Sequence, residues 1–183
     1  MPHSRYSTVA IVFHWTIAVL LIANLAAGLA FDRIEAADKQ LFFTLIQLHK
    51  STGITILVLA VARLIWRLMN PPPPLPDHMT SAERVLATIS HWGFYVLMFA
   101  LPLSGWAMVS TGKLIFPMFW YGLFEIPKLP IGNTQHETFE NVHGLLGWVV
   151  LALIVLHVAA ALKHHYFDRD NLLARMWPSR GKA

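Results

Sequence analysis

The chain contains no cysteine. Disulfides, thiolate-bound iron–sulfur clusters, Cys-ligated zinc and covalently attached c-type haem are therefore excluded. Charge is also scarce. Only 13% of the 183 residues are Asp, Glu, Lys or Arg, about half of what a soluble domain carries. Apolar residues make up 56% and the mean hydropathy is +0.52. A composition of this kind, with long stretches nearly free of charge, belongs to a membrane protein. The net charge of +4 does not point to nucleic acid, because the basic residues flank apolar runs instead of forming a stripe. The ten histidines are then the main metal-binding capacity left to the chain.

Four runs are long enough to cross a bilayer, which takes roughly 20 apolar residues: about 9–30, 45–66, 85–109 and 142–162. The first is longer than the apolar part of a signal peptide and contains His14 and Trp15, so it reads as a retained span. Prolines at 71–74 and 76 make a stiff connector after the second span. Pro102 and Gly105 predict a kink in the third. The stretch 111–141 is too polar and too often broken by proline to span. It reads as an extramembrane loop with a short interfacial helix around Phe116, Phe119, Trp120 and Tyr121.

Four spans place both termini on one side of the membrane. Arg5, Arg63, Arg67, Arg84, Lys163, Arg169, Arg175, Arg180 and Lys182 fall on that side, and Arg33, Lys39, Lys50, Lys113 and Lys128 on the other. Nine against five predicts cytoplasmic termini. The expected unit is a single all-α four-helix membrane bundle over residues 5–176, followed by a short basic tail at 177–183.

Ionisable residues inside a membrane are costly and rare, yet His14, His49, His91, His143 and His157 lie inside spans or at their ends. A lone histidine there is more often a hydrogen-bonded packing residue than a ligand. His143 and His157 change that balance. Fourteen residues on one helix return them to within about 40° of the same face, roughly 21 Å apart along the axis. Two haems stacked across a bilayer need ligands at that separation, and each iron needs an opposing imidazole from another helix.

Depth along the spans matches His49 to His143 on the outer side and His14 to His157 on the inner side. His136 sits in polar surroundings and is placed in the loop. His91 is a rival for the inner position. One turn onward, where a flat porphyrin needs room, the four chosen histidines have Ala18, Gly53, Gly147 and Ala161, whereas His91 has Tyr95. Small residues also serve ordinary helix packing. Arg63, 14 residues after His49, would reach a haem propionate at inner depth or snorkel to the interface. His164 lies about 20° from the face of His157 and His165 points elsewhere. His164 therefore reads either as a quinone or proton contact or as one of a pair packed against lipid headgroups.

At these residues the chain resembles the bacterial cytochrome b561 family over nearly its whole length. The resemblance is carried by His14-Trp15, Leu48-His49-Lys50-Ser51-Thr52-Gly53-Ile54, Arg63-Leu64-Ile65-Trp66-Arg67 and Gly105. Its most specific part is Leu156-His157-Val158-Ala159-Ala160-Ala161-Leu162-Lys163-His164-His165-Tyr166-Phe167, followed by Asp170-Asn171 and Arg175-Met176. It implies two haem b groups, His14 paired with His157 and His49 with His143. It further implies electron exchange with the quinone pool of the bacterial inner membrane. Some members look like superoxide oxidases that deliver the electron to quinone; the loop 111–130 looks closer to members whose partner is not established, so the alternative expectation is a haem b membrane subunit or quinol-linked carrier serving a periplasmic redox partner. A related superfamily supplies the haem b subunits of hydrogenases and formate dehydrogenases, and this chain lacks the extra span expected of the hydrogenase type.

Overall fold

The computed structural model describes residues 5–76, 78–112 and 117–177. Lys113 and Phe116, assigned above to the outer loop, and Arg180 and Lys182, assigned to the basic tail, lie outside the described residues. Four long helices form the molecule: α1 Thr8–Ala37, α2 Lys39–Met69, α3 Ser81–Thr111 and α4 His136–Tyr166. All four are long and apolar enough to cross a membrane. At 30 or 31 residues each they measure about 45 Å, against roughly 30 Å of hydrocarbon. Each therefore runs past its apolar stretch at the ends.

Side-chain caps set the boundaries. Ser7 Oγ accepts from Ala10 N to open α1. Asp38 closes α1 through its own N–H and opens α2 by accepting from Leu41 N at 3.0 Å. Thr80 and Glu83 form a reciprocal capping box at the start of α3. Prolines from 71 onward supply no helical donors, and residues 71–76 form neither helix nor strand. α3 continues through Pro102.

α1 packs along α2 and α3 along α4, and a lighter α2–α3 contact joins the two halves. The middle of the bundle is filled by two apolar layers: Ile17, Ala60, Tyr95 and Met98, then Leu21, Ile56, Leu97 and Val150. In lipid such layers are held by close van der Waals packing, since the tails outside are as apolar as leucine. Val19, Val58, Val96 and Val155 point outward and are 58–64% exposed. Apolar exposure on that scale suits a molecule whose solvent is hydrocarbon.

The connection after α3 differs from the interfacial helix that the aromatic residues predict. It is a β-hairpin, β1 Met118–Trp120 paired antiparallel with β2 Phe124–Ile126, followed by a 3₁₀ turn at Asn133–Gln135. Tyr121 and Gly122 both have positive φ, 47° and 78°, and Leu123 N donates to Trp120 O. Two successive residues of positive φ make the tight turn that matches strand twist. Tyr-Gly is not the Asn-Gly or Asp-Gly pair that would announce it.

At one end of the bundle the segment before α1 is tied to the segment after α4. The short helix α5, Leu172–Met176, lies beside the N-terminus. Trp15 Nε1 donates to Met176 O at 2.8 Å, Arg5 to Trp177 O at 2.7 Å and Tyr6 N to Arg175 O at 3.3 Å. Arg175 in turn holds the Pro74 carbonyl.

Candidate functional site

The apolar layers separate two histidine layers. In the outer one the rings of His49 on α2 and His143 on α4 have centroids 6.1 Å apart. In the inner one His14 on α1 and His157 on α4 are 6.4 Å apart. Two imidazoles facing a first-row metal through Nε2, at about 2.0–2.1 Å each and roughly 1.1 Å from nitrogen to ring centre, have centroids about 6.2 Å apart. Both spacings fit a bis-imidazole site.

Hydrogen bonding prepares the outer pair for that role. His49 Nδ1 donates to the Asn24 carbonyl at 3.1 Å. His143 Nδ1 is 3.1 Å from both the Leu101 carbonyl and Ser104 Oγ. A carbonyl only accepts, so the proton is on Nδ1 in both rings and Nε2 keeps its lone pair. This is how ligating histidines are usually oriented. Helix glycines make room for the rings: a Cβ on Gly28 would stand 3.2 Å from His49 Cε1, and one on Gly105 would stand 3.0 Å from His143 Cε1. At Gly53, one turn inward from His49, a Cβ would meet no atom within 4 Å, which leaves space for a flat macrocycle.

The inner layer holds three histidines. His91 of α3 lies 6.0 Å from His157, as near as His14 does, and Phe94 packs edge-on at 5.2 Å. Tyr95, the bulky neighbour that argued against His91, is buried in the apolar layer beneath. Arg63 stacks over the Tyr95 ring and reaches His14 Nδ1 at 3.3 Å. Guanidinium only donates, so in this contact His14 Nδ1 accepts and its proton is on Nε2. Ligation through Nε2 requires Arg63 to let go of Nδ1, which frees the guanidinium for another anionic partner.

His136, placed in the loop by its polar neighbours, instead opens α4 and donates from Nδ1 to the Met108 carbonyl at 2.9 Å. Seven residues along the helix put it about 10 Å outward of His143. His164 is buried, with Nδ1 2.8 Å from Asp168 Oδ2 and 3.0 Å from Asp170 Oδ2. Glu83 joins the same cluster, but Lys163 bridges Glu83 and Asp168, so those three side chains form an ion-pair network beside His164. His165 is exposed and stacks edge-on against Tyr166. Just before α1, burial raises the Tyr6 phenol above its ordinary value, with the guanidinium groups of Arg67, Arg63 and Arg175 opposing it. Tyr6 therefore stays a neutral phenol at the inner edge of the site.

Asn24, Gly28 and Ser104 are the site residues that sequence reading passes over. Gly28 is 21 positions from His49, and only the pairing of α1 with α2 brings them together.

Four long apolar helices, with histidine rings brought together at two levels of the core, define a membrane protein with candidate metal-ligating histidines. Residues 5–179 match the family described as prokaryotic cytochrome b561, and the chain belongs to that family. It is 35% identical over 176 residues to cytochrome b561 homolog 2 of Escherichia coli, covering 94% of this chain and 90% of that protein. It is 33% identical over 182 residues to the probable superoxide oxidase CybB of Yersinia pestis, covering 97% and 98%. Cytochrome b561 homolog 1 of E. coli is 28% identical over 180 residues, covering 97% and 99%. The chain is accordingly a multi-pass bacterial membrane b-type cytochrome of electron transfer, and its family implies haem b.

Proposed function

We propose that this cytochrome holds two haem b groups, one between His14 and His157 and the other between His49 and His143, and moves single electrons across the cytoplasmic membrane to or from the quinone pool. The observation that carries the reading is the pair of facing imidazoles in each layer, 6.1 and 6.4 Å between centroids. Held between these histidines, haem b would supply a one-electron couple. Everything else is the work of the chain. Asn24, Leu101 and Ser104 orient the outer imidazoles, Gly28 and Gly105 admit the rings, and the apolar layers fix the spacing. Arg63, released from His14, would hold a carboxylate of the cofactor. His164, backed by Asp168 and Asp170, handles protons where quinone is reduced at the inner face. The termini are cytoplasmic, and residues 5–176 are the working unit.

For the outer donor, the likeness to a probable superoxide oxidase favours superoxide, with quinone as acceptor. The relative with 35% identity is named only as a cytochrome b561 homolog, which favours a second reading: a quinol-linked carrier serving a periplasmic redox protein. Mixing the purified cytochrome with enzymatically generated superoxide and, separately, with a quinol, and following the reduced α band, decides between them. Fast reduction by superoxide supports the first; reduction by quinol alone supports the second.

A further inference from the structure

The hairpin after α3 is held by polar residues that interrupt two otherwise apolar helix faces. On α2, Leu48, Ser51, Thr52, Thr55 and Val58 share one stripe by helical spacing, and Leu48 and Val58 are 45% and 62% exposed. On α3, Val96, Leu103 and Ser110 recur every seven residues on one face, with Val96 and Leu103 exposed. In a spanning bundle these exposed apolar positions face lipid. The hairpin lies over the outer ends of both stripes.

Its contacts are those of backbone taken out of water. Ser51 Oγ lies 2.9 Å from the Phe119 carbonyl, to which it donates, and accepts from Tyr121 N at 3.0 Å. The first is a carbonyl of β1 and the second an N–H of the turn that follows it. Trp106 Nε1 donates to the Pro127 carbonyl, and Leu129 N donates to Ser110 Oγ. Trp120 Nε1 reaches Thr55 Oγ1, and the Tyr121 and Thr52 hydroxyls meet at 3.1 Å. A backbone facing hydrocarbon must find every partner within the protein, and a loop in water need not. Meanwhile much apolar surface stays exposed on the hairpin: Leu123 is 74% exposed, Phe124, stacked on Trp120, 56%, Tyr121 43% and Phe119 38%, while the charged Glu125 and Lys128 are exposed nearer its base.

Depth agrees. The two histidine layers are about 21 Å apart, so in a hydrocarbon slab of roughly 30 Å each lies about 4–5 Å inside its edge. Ser51 is two residues inward of His49, about 3 Å deeper. The hairpin tip, which Ser51 and Thr52 hold through Tyr121, thus falls about 7–9 Å inside the outer edge of the hydrocarbon, below the zone where interfacial aromatic side chains collect. Glu125, the cross-strand partner of Phe119, keeps it from sinking further.

We infer that this hairpin is a membrane-inserted element: its Phe119, Tyr121, Leu123 and Phe124 side chains are seated among the lipids of the outer leaflet, while Ser51, Thr55, Trp106 and Ser110 satisfy its backbone and its indole from the bundle side. The occupant of the exposed face is lipid, not a protein partner.

The cysteine-free chain makes the test direct. Leu123→Cys and Phe124→Cys, each carrying a nitroxide in proteoliposomes, should collide far more often with dissolved oxygen than with a water-soluble nickel chelate. Glu35→Cys, at the exposed outer end of α1, serves as the aqueous control and should show the reverse. Ser51→Ala in the Leu123→Cys background should raise nickel accessibility severalfold while the Soret band is kept. If both hairpin labels behave like the control, the hairpin projects into water. If the labels are shielded from oxygen and nickel alike, a protein surface covers the hairpin. Either result overturns the inference.

Discussion

His143 is held by more of its surroundings than any other histidine in the bundle. Its Nδ1 is bonded to Leu101 and Ser104, and Gly105 leaves no slack, because a Cβ there would stand 3.0 Å from the ring. Gly105→Ala should improve the intrinsic helix propensity of α3 by up to about 1 kcal/mol and yet push the ring off its line. The expected outcome is a stably folded protein that has lost the outer haem, seen as a halved pyridine-haemochrome value against about two per chain in the parent. Ser104→Ala keeps the Leu101 carbonyl and should only weaken haem retention, by roughly the 10–100-fold typical of lost orienting partners. A parent value of one haem per chain would sink the two-pair reading altogether. For the inner layer, His157→Ala should remove that haem and spare the outer one, and His91→Ala should spare both. Loss of a haem in His91→Ala would transfer the ligand role from His14, since both rings stand about 6 Å from His157.

The helices were legible in the sequence because their cause is local: four apolar runs of bilayer length. Facing histidines were legible too, since matched depth is arithmetic on the rise per residue. What escaped has causes distant in sequence or conformationally unusual. The hairpin depends on Tyr121 adopting positive φ, which a tyrosine does not advertise, and on hydroxyls of α2 nearly 70 residues away. The cap at Thr80, by contrast, is written in the Thr-x-x-Glu spacing. Thr80 N and Oγ1 both donate to Glu83 Oε2 at 2.9 Å, and Glu83 also meets Lys163 from α4. Thr80→Ala should therefore cost about 1 kcal/mol, measured as a lower thermal midpoint in detergent, with haem spectra unchanged. A midpoint equal to that of the parent would mean that lipid-side packing alone sets the end of α3.

At the scale of the whole molecule, the proposed function puts the two histidine layers near opposite surfaces of the membrane, which would keep donor and acceptor apart and let the surface charge around each differ. The outer side carries Arg33, Lys39, Lys50, Lys113 and Lys128 against Asp32, Glu35, Asp38, Glu125, Glu137 and Glu140, five bases to six acids, or about −1. Summed charge would repel a small anion weakly. Attraction depends instead on the local field at the point of approach, and Lys50 adjoins His49 in the chain. Exposed charges are screened beyond roughly 10 Å at 0.1 M salt, and steering by them raises association rates only at low ionic strength. Reduction by superoxide should accordingly slow several-fold between about 10 mM and 0.3 M salt. Lys50→Gln should remove most of that dependence without changing haem content. On the inner face His164→Ala should leave reduction by superoxide intact and slow re-oxidation by quinone, measured in single-turnover mixing. If Lys50→Gln retains the full salt slope, the anion approaches elsewhere. If superoxide reduces the parent no faster than it reduces free quinone, the donor is instead a periplasmic redox protein and the salt slope should be sought with that partner.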